Sequence, residues 1–136
     1  MLKKIIHIAL FVLLPVFGYS QSKCDPFKNG TFKVIDPATK KVCIITRDGN
    51  KQTEKMEDDA EVYDFNIVWL DDCTYTVSPT AATAARNADT LKAGTMTVKI
   101  FKPKEGSYMQ RVTVANNPKF RRIDEVFVVE HVDENK

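Results

Sequence analysis

The stretch from Glu61 to Leu70 constrains the fold more than any other. Tyr63, Phe65, Ile67 and Trp69 recur at every second position, with Val62, Asp64, Asn66, Val68 and Leu70 between them. Side chains alternate across a strand, so this period of two puts four large apolar groups on one face and a mixed set on the other. A strand with one apolar face belongs in an antiparallel sheet that covers a core on one side. The same four residues are the candidate lining of that core or of a pocket inside it. Trp69 shares its face with the other three, which favours a packing role over ligand stacking.

Further strands follow at short spacing, separated by turn chemistry. Thr31 to Ile35 brings Phe32 and Val34 to one face, and Asp36-Pro37 turns the chain into Lys41 to Arg47. Asp48-Gly49 reads as the centre of a two-residue hairpin, with Lys51 to Met56 returning antiparallel. Cys73 to Ser78 comes after Asp71-Asp72. Thr95 to Lys102 points Met96, Val98 and Ile100 inward. Lys104-Glu105-Gly106 and Asn116-Asn117-Pro118 are read as turns around Ser107 to Ala115, and the last strand as Phe120 to Glu130. Between Ser78 and Gly94 the chain is rich in alanine. Ser78 suits an N-cap, Pro79 the first helical position and Gly94 the position after the last turn, so one short helix is expected over 79–92. About eight strands with hairpin-length connections make an up-and-down meander. Such a sheet removes its edges by closing, so a lipocalin-like barrel or half-barrel is the first expectation and a two-layer sandwich the second.

The N-terminus reads as an export signal. Lys3 and Lys4 precede an apolar run from Ile5 to Phe17, then Gly18-Tyr19-Ser20-Gln21. Gly18 and Ser20 are small residues at the positions a signal peptidase reads, placing the cut between Ser20 and Gln21. A membrane-spanning helix needs about 20 apolar residues, and this run is shorter. Cys24 stands where a lipoprotein would carry its lipid, but the large charged Lys23 before it does not fit a lipobox. The mature chain is therefore expected to be released, periplasmic or secreted, with no stable membrane anchor. It forms one β domain over 21–136, with 131–136 as a polar tail.

Removing the leader changes the charge balance. The chain has 20 Lys and Arg against 18 Asp and Glu, and the leader holds two lysines and no acid, so the mature protein is formally neutral. Phosphate contacts dominate nucleic-acid affinity, and a neutral chain lacks the basic excess they require. Lys119, Arg121 and Arg122 form a local basic patch that reads as a solvated strand end. No nucleic-acid partner is expected.

The chemistry-bearing residues are few. His7 leaves with the leader and His131 stands at the start of the tail, so a histidine base is not expected. No nucleophile elbow, HExxH, P-loop or GxGxxG occurs, and no catalytic, cofactor or metal site is expected. Asp71-Asp72 and Glu57-Asp58-Asp59 read as solvated turns, and the latter lacks calcium-loop spacing. A carboxylate-dependent hydrolase is the least favoured reading, because it needs two acids facing each other across a cleft. Asn29-Gly30-Thr31 matches a glycosylation sequon but reads as a turn. Three cysteines allow three pairings in an oxidising compartment. Cys43 lies in the apolar run Val42-Cys43-Ile44-Ile45 and reads as a core residue. Cys24 and Cys73 lie at element boundaries, where a staple is most useful, so Cys24–Cys73 is the expected pair with Cys43 free.

Three segments carry a family resemblance: Lys28-Asn29-Gly30-Thr31-Phe32, Ile45-Thr46-Arg47, and Trp69-Leu70-Asp71-Asp72-Cys73-Thr74-Tyr75. Together they resemble a family of small exported bacterial β-proteins of no established activity, often mislabelled "DNA topoisomerase IV". The resemblance covers residues 24–115, with the Trp-x-x-Asp-Cys turn as its best motif. It supports pairing Cys24 with Cys73 and implies no catalytic residues. Topoisomerase activity is implausible for a chain this short, with a secretory leader, a neutral mature charge and no distinguishing context around any of its four tyrosines. The function expected from the sequence is that of an exported non-enzymatic β-protein, holding a small apolar ligand or serving as an interaction module for another envelope protein.

Overall fold

A computed structural model describes residues 23–130. The leader, the cleavage point and the polar tail from His131 lie outside the described residues. A single 3₁₀ turn, Asp25–Phe27, precedes eight strands: β1 Gly30–Ile35, β2 Val42–Asp48, β3 Lys51–Met56, β4 Val62–Trp69, β5 Thr74–Pro79, β6 Met96–Lys104, β7 Ser107–Val114 and β8 Asn117–Val128. Two short helices, α1 Ala81–Arg86 and α2 Asp89–Lys92, lie between β5 and β6. Every strand pairs antiparallel with its sequence neighbour, and β8 returns to β1 through Val34↔Val126 and Phe32↔Val128. The sheet is a closed meander barrel, the closed form of the lipocalin-like expectation and not a sandwich.

The alternation in β4 places Phe65 and Ile67 in the core, with Tyr63 and Trp69 packed against it at partial burial. The largest buried side chains gather toward one end: Phe27, Phe32, Tyr75, Tyr108 and Arg47. Toward the other end the inward positions are smaller, among them Val34, Cys43, Val77, Val112 and Val114. An eight-stranded barrel is just wide enough to be filled by side chains or to hold one small ligand. Bulk at one end and small residues at the other make this barrel both: plugged below, hollow above.

The segment expected as one helix over 79–92 is instead a strand end and two helical turns. Ser78 and Pro79 stay in β5, paired with Asn66 and Phe65, because β4 extends far enough to keep them. Thr80 is the N-cap, its hydroxyl accepting a hydrogen bond from the Thr83 amide at 3.2 Å. The helix stops at Asn87, since an apolar face this thin gives little packing to sustain a longer one. The Thr83 hydroxyl accepts from the Asp64 amide at 2.9 Å and the Arg86 guanidinium donates to the Val62 carbonyl, tying α1 to β4. Gly94 has φ of +73°, and a Cβ there would lie 3.0 Å from the Asn116 side chain. That close approach lets Asn116 donate to the Lys92 carbonyl at 2.9 Å.

Three turns differ from expectation. Asp48 pairs with Lys51, so the β2–β3 turn is Gly49-Asn50, with the positive φ (+59°) on Gly49 alone. Asn29 closes this hairpin from outside, its Oδ1 accepting from the Gly49 amide at 2.9 Å. β6 continues past Lys102 through a bulge, with Lys102 at φ +47°. β8 begins at Asn117, paired with Val114, so Asn117 and Pro118 belong to the strand and the turn is only Ala115-Asn116. Proline is tolerated because β8 meets β1 only from Val126 onward, leaving its first half without a partner on that side.

Candidate functional site

The closed end is built around Arg47. Cys43, Ile45 and Arg47 alternate inward along β2, which carries a guanidinium into the core at 2 % exposure. Buried charge is tolerated when every donor is used. Arg47 Nε donates to Gln52 Oε1 (2.8 Å) and Nη1 to the Phe27 carbonyl (2.8 Å). Its Nη2 donates to the hydroxyls of Tyr75 and Tyr108, each at 2.7 Å. The Phe32 ring lies 4.6 Å from the guanidinium carbon and the Tyr75 ring 4.9 Å. Burial works against the charge, but the two tyrosine hydroxyls and the more distant Glu54 more than offset it, so Arg47 stays cationic. Burial also drives both tyrosines above their ordinary range, so they remain neutral.

The Cys24–Cys73 disulfide closes this same end, joining the start of the 3₁₀ turn to the residue before β5. Trp69 packs on Tyr75 at 4.7 Å, with the Lys28 ammonium 5.2 Å from its ring. Asp71 Oδ1 accepts from the Cys73 amide and Asp59 Oδ1 from the Glu61 amide, so each acidic turn caps its own loop.

Above Arg47 the barrel is hollow, with a cavity of about 800 Å³. Its opening is ringed by the β1–β2 loop (Asp36, Thr39, Lys41), the end of α2 (Lys92, Ala93), Asn116 of the β7–β8 turn and Asn117 at the start of β8. The wall is mostly apolar, and its Gln52 and Tyr75 are hydrogen-bonded to Arg47. Of the four residues expected to line a core or pocket, Phe65 and Ile67 are core, Tyr63 and Trp69 pack against it, and none lies on the cavity wall. Cys43 is on the wall, half-buried and free, not enclosed in the core. Burial pushes its thiol up to about 11, so it is protonated at neutral pH.

Two polar sets face the lumen. On β3, Gln52 Nε2 donates to Glu54 Oε1 at 3.0 Å. Across β7 and β8, Asp124 accepts from Gln110 Nε2 (3.2 Å) and from Arg122 Nε (2.9 Å). Burial raises the Glu54 carboxyl above its ordinary value; the Gln52 hydrogen bond and the charges of Arg47 and Arg122 pull the other way and only reduce the shift. A carboxyl raised in the folded state contributes stability that is complete below its unfolded value and is lost as pH rises through the folded one. Glu54→Gln is neutral at every pH. It is expected to match the parent near pH 4 and to melt at a higher temperature than the parent at pH 8. Thermal unfolding followed by circular dichroism across that range checks this, and a variant that melts lower at pH 8 would contradict it.

The lumen residues were legible only as phase. Arg47, Gln52, Glu54, Gln110 and Arg122 each sit in step with apolar inward neighbours, and a strict reading of the alternation places them inside. The polar residue type argued for the surface and concealed them. The fold and the cavity together define a closed antiparallel barrel with one hollow end. No protein-family model, curated protein or solved structure matches the chain.

Proposed function

We propose that the protein binds a small, largely apolar ligand in the hollow end of the barrel. The observation that carries this reading is the cavity of about 800 Å³, within the ~300–1,000 Å³ of small-molecule sites. Apolar walls with a few convergent polar groups are the usual character of such sites. The reading takes the chain as an exported member of the family it resembles, acting in the periplasm or outside the cell after cleavage at Ser20. The Cys24–Cys73 disulfide suits an oxidising compartment, and no described helix is long and apolar enough to cross a membrane.

The test is titration with the neutral fluorophore N-phenyl-1-naphthylamine, whose emission rises on leaving water. Saturable binding is expected, weakened at least about tenfold by the pair Cys43→Phe and Val112→Trp, which crowd the lumen. Equal binding by parent and crowded variant would contradict a site inside the barrel.

A second reading, docking to another envelope protein, has one observation behind it. The outer face of β4 exposes Val68 at 58 %, with Val62 further along the same strand, and Leu70 just past its end is 61 % exposed. A surface ligand or partner would meet these residues and leave the lumen untouched.

A further inference from the structure

We propose that the ligand is an amphiphile with a carboxylate head, bound at the cavity opening by Arg122, with its apolar tail inside the barrel. This rests on the ligand-binding reading and adds the head-group chemistry to it.

Arg122 is the inward residue of β8 at the height of Val112, with which it pairs. It lines the cavity, yet its side chain keeps 52 % of its exposure because the opening lies beside it. Below it on the same strand is Asp124, only 8 % exposed. Asp124 is fixed by Gln110 and grips Arg122 through Nε alone. That single bond sets the direction of the guanidinium and leaves both terminal nitrogens for another acceptor. A planar fork with two adjacent N–H donors matches a carboxylate in geometry and charge.

The charges around Arg122 nearly balance. Arg122 influences Asp36, Cys43 and Glu54, so its field reaches groups on the loop after β1, on β2 and on β3. Asp36 is the acid at the opening, and its Oδ1 is occupied by the amides of Ala38 (2.8 Å) and Thr39 (3.2 Å) in its own turn. Lys41 and Lys92 also stand on the rim, the Lys92 ammonium paired with Asp89 at 2.8 Å. The wall around the guanidinium includes Val34, Met96, Val112 and Val114, a surface for a hydrocarbon chain. The Arg122–Asp124 and Lys92–Asp89 pairs are each neutral as units and Lys41 shares the rim with Asp36, so the unfilled fork of Arg122, not a net positive charge, is what a carboxylate head would meet.

The experiment compares decanoate with decan-1-ol as competitors of N-phenyl-1-naphthylamine on the full-length exported protein at neutral pH. The two chains are alike and only the head differs. Arg122→Gln is expected to weaken decanoate about tenfold, as loss of a charged hydrogen bond should, and decan-1-ol by less than about twofold. Arg122→Lys keeps the charge without the fork and should restore part of the lost decanoate affinity. Equal losses for both competitors, or no loss for either, would overturn the carboxylate assignment while leaving an apolar site in place. Failure of decanoate to displace a bound fluorophore would do the same. Failure of the fluorophore itself to bind the parent would remove the ligand-binding reading, and this proposal with it.

Discussion

Replacing Arg47 with methionine is expected to cost about 3–5 kcal/mol of folding stability, the scale seen when one member of a buried charged network is removed. Methionine fills similar space, so the loss is not mainly a cavity. It comes from the partners. The Phe27 carbonyl, Gln52 Oε1 and the hydroxyls of Tyr75 and Tyr108 all receive their hydrogen bonds from one guanidinium. A buried acceptor left without a donor costs roughly 1–3 kcal/mol. The two hydroxyls can relieve each other in part, which keeps the total below the simple sum. Those partners stand on the 3₁₀ turn, β3, β5 and β7, so the variant loosens the closed end from several sides at once. Tyr75→Phe removes one acceptor of four and should cost only about 1 kcal/mol. Urea unfolding with the disulfide intact measures both, and a loss below about 1 kcal/mol for Arg47→Met would contradict the network's role.

Removing the disulfide by Cys24→Ala with Cys73→Ala is expected to cost about 4 kcal/mol, the loop-closure value for a separation of 49 residues. A domain of this size has about 5–15 kcal/mol in total, so the variant sits near the limit of stable folding. The two predictions are coupled. The disulfide holds Cys24 at the start of the 3₁₀ turn, and Arg47 holds Phe27 at its end. Once one anchor is gone, the turn is already partly free, and the second loses less. The combined variant should therefore fall short of the sum by about 1 kcal/mol or more in a double-mutant cycle. Exact additivity would show that the anchors act on separate parts of the barrel.

The barrel was legible because each strand carries its own period and most turns carry Gly, Asn or Asp. β4 shows it best: alternation over Val62–Trp69 places Phe65 and Ile67 in the core without reference to any other strand. Closure was harder to read, because the bond that makes a barrel of a half-barrel is β1 with β8, which lie at opposite ends of the domain. Turn positions slipped by one residue where two adjacent residues both suit a turn, as at Asp48-Gly49-Asn50. The helix was overextended because its N-terminal signals, Ser78 and Pro79, are also compatible with a strand end, and pairing with β4 decides between them. The cavity was not legible as a place. Its wall mixes valines with Gln52, Glu54, Gln110 and Arg122, and only the three-dimensional taper from Tyr75 and Tyr108 up to Val112 and Val114 shows that space is left between them.

The proposed ligand site is the hollow end of the barrel. Methyl NMR of the valine- and isoleucine-labelled protein, titrated with decanoate, tests it most directly. The methyl signals of Val34, Val77, Val98 and Val112 are expected to shift together and saturate, while those of Val62, Val68 and Ile123 on the outer surface stay fixed. Shifts confined to Val62, Val68 and Ile123, with the lumen valines unmoved, would contradict it and place binding on the outside of the barrel.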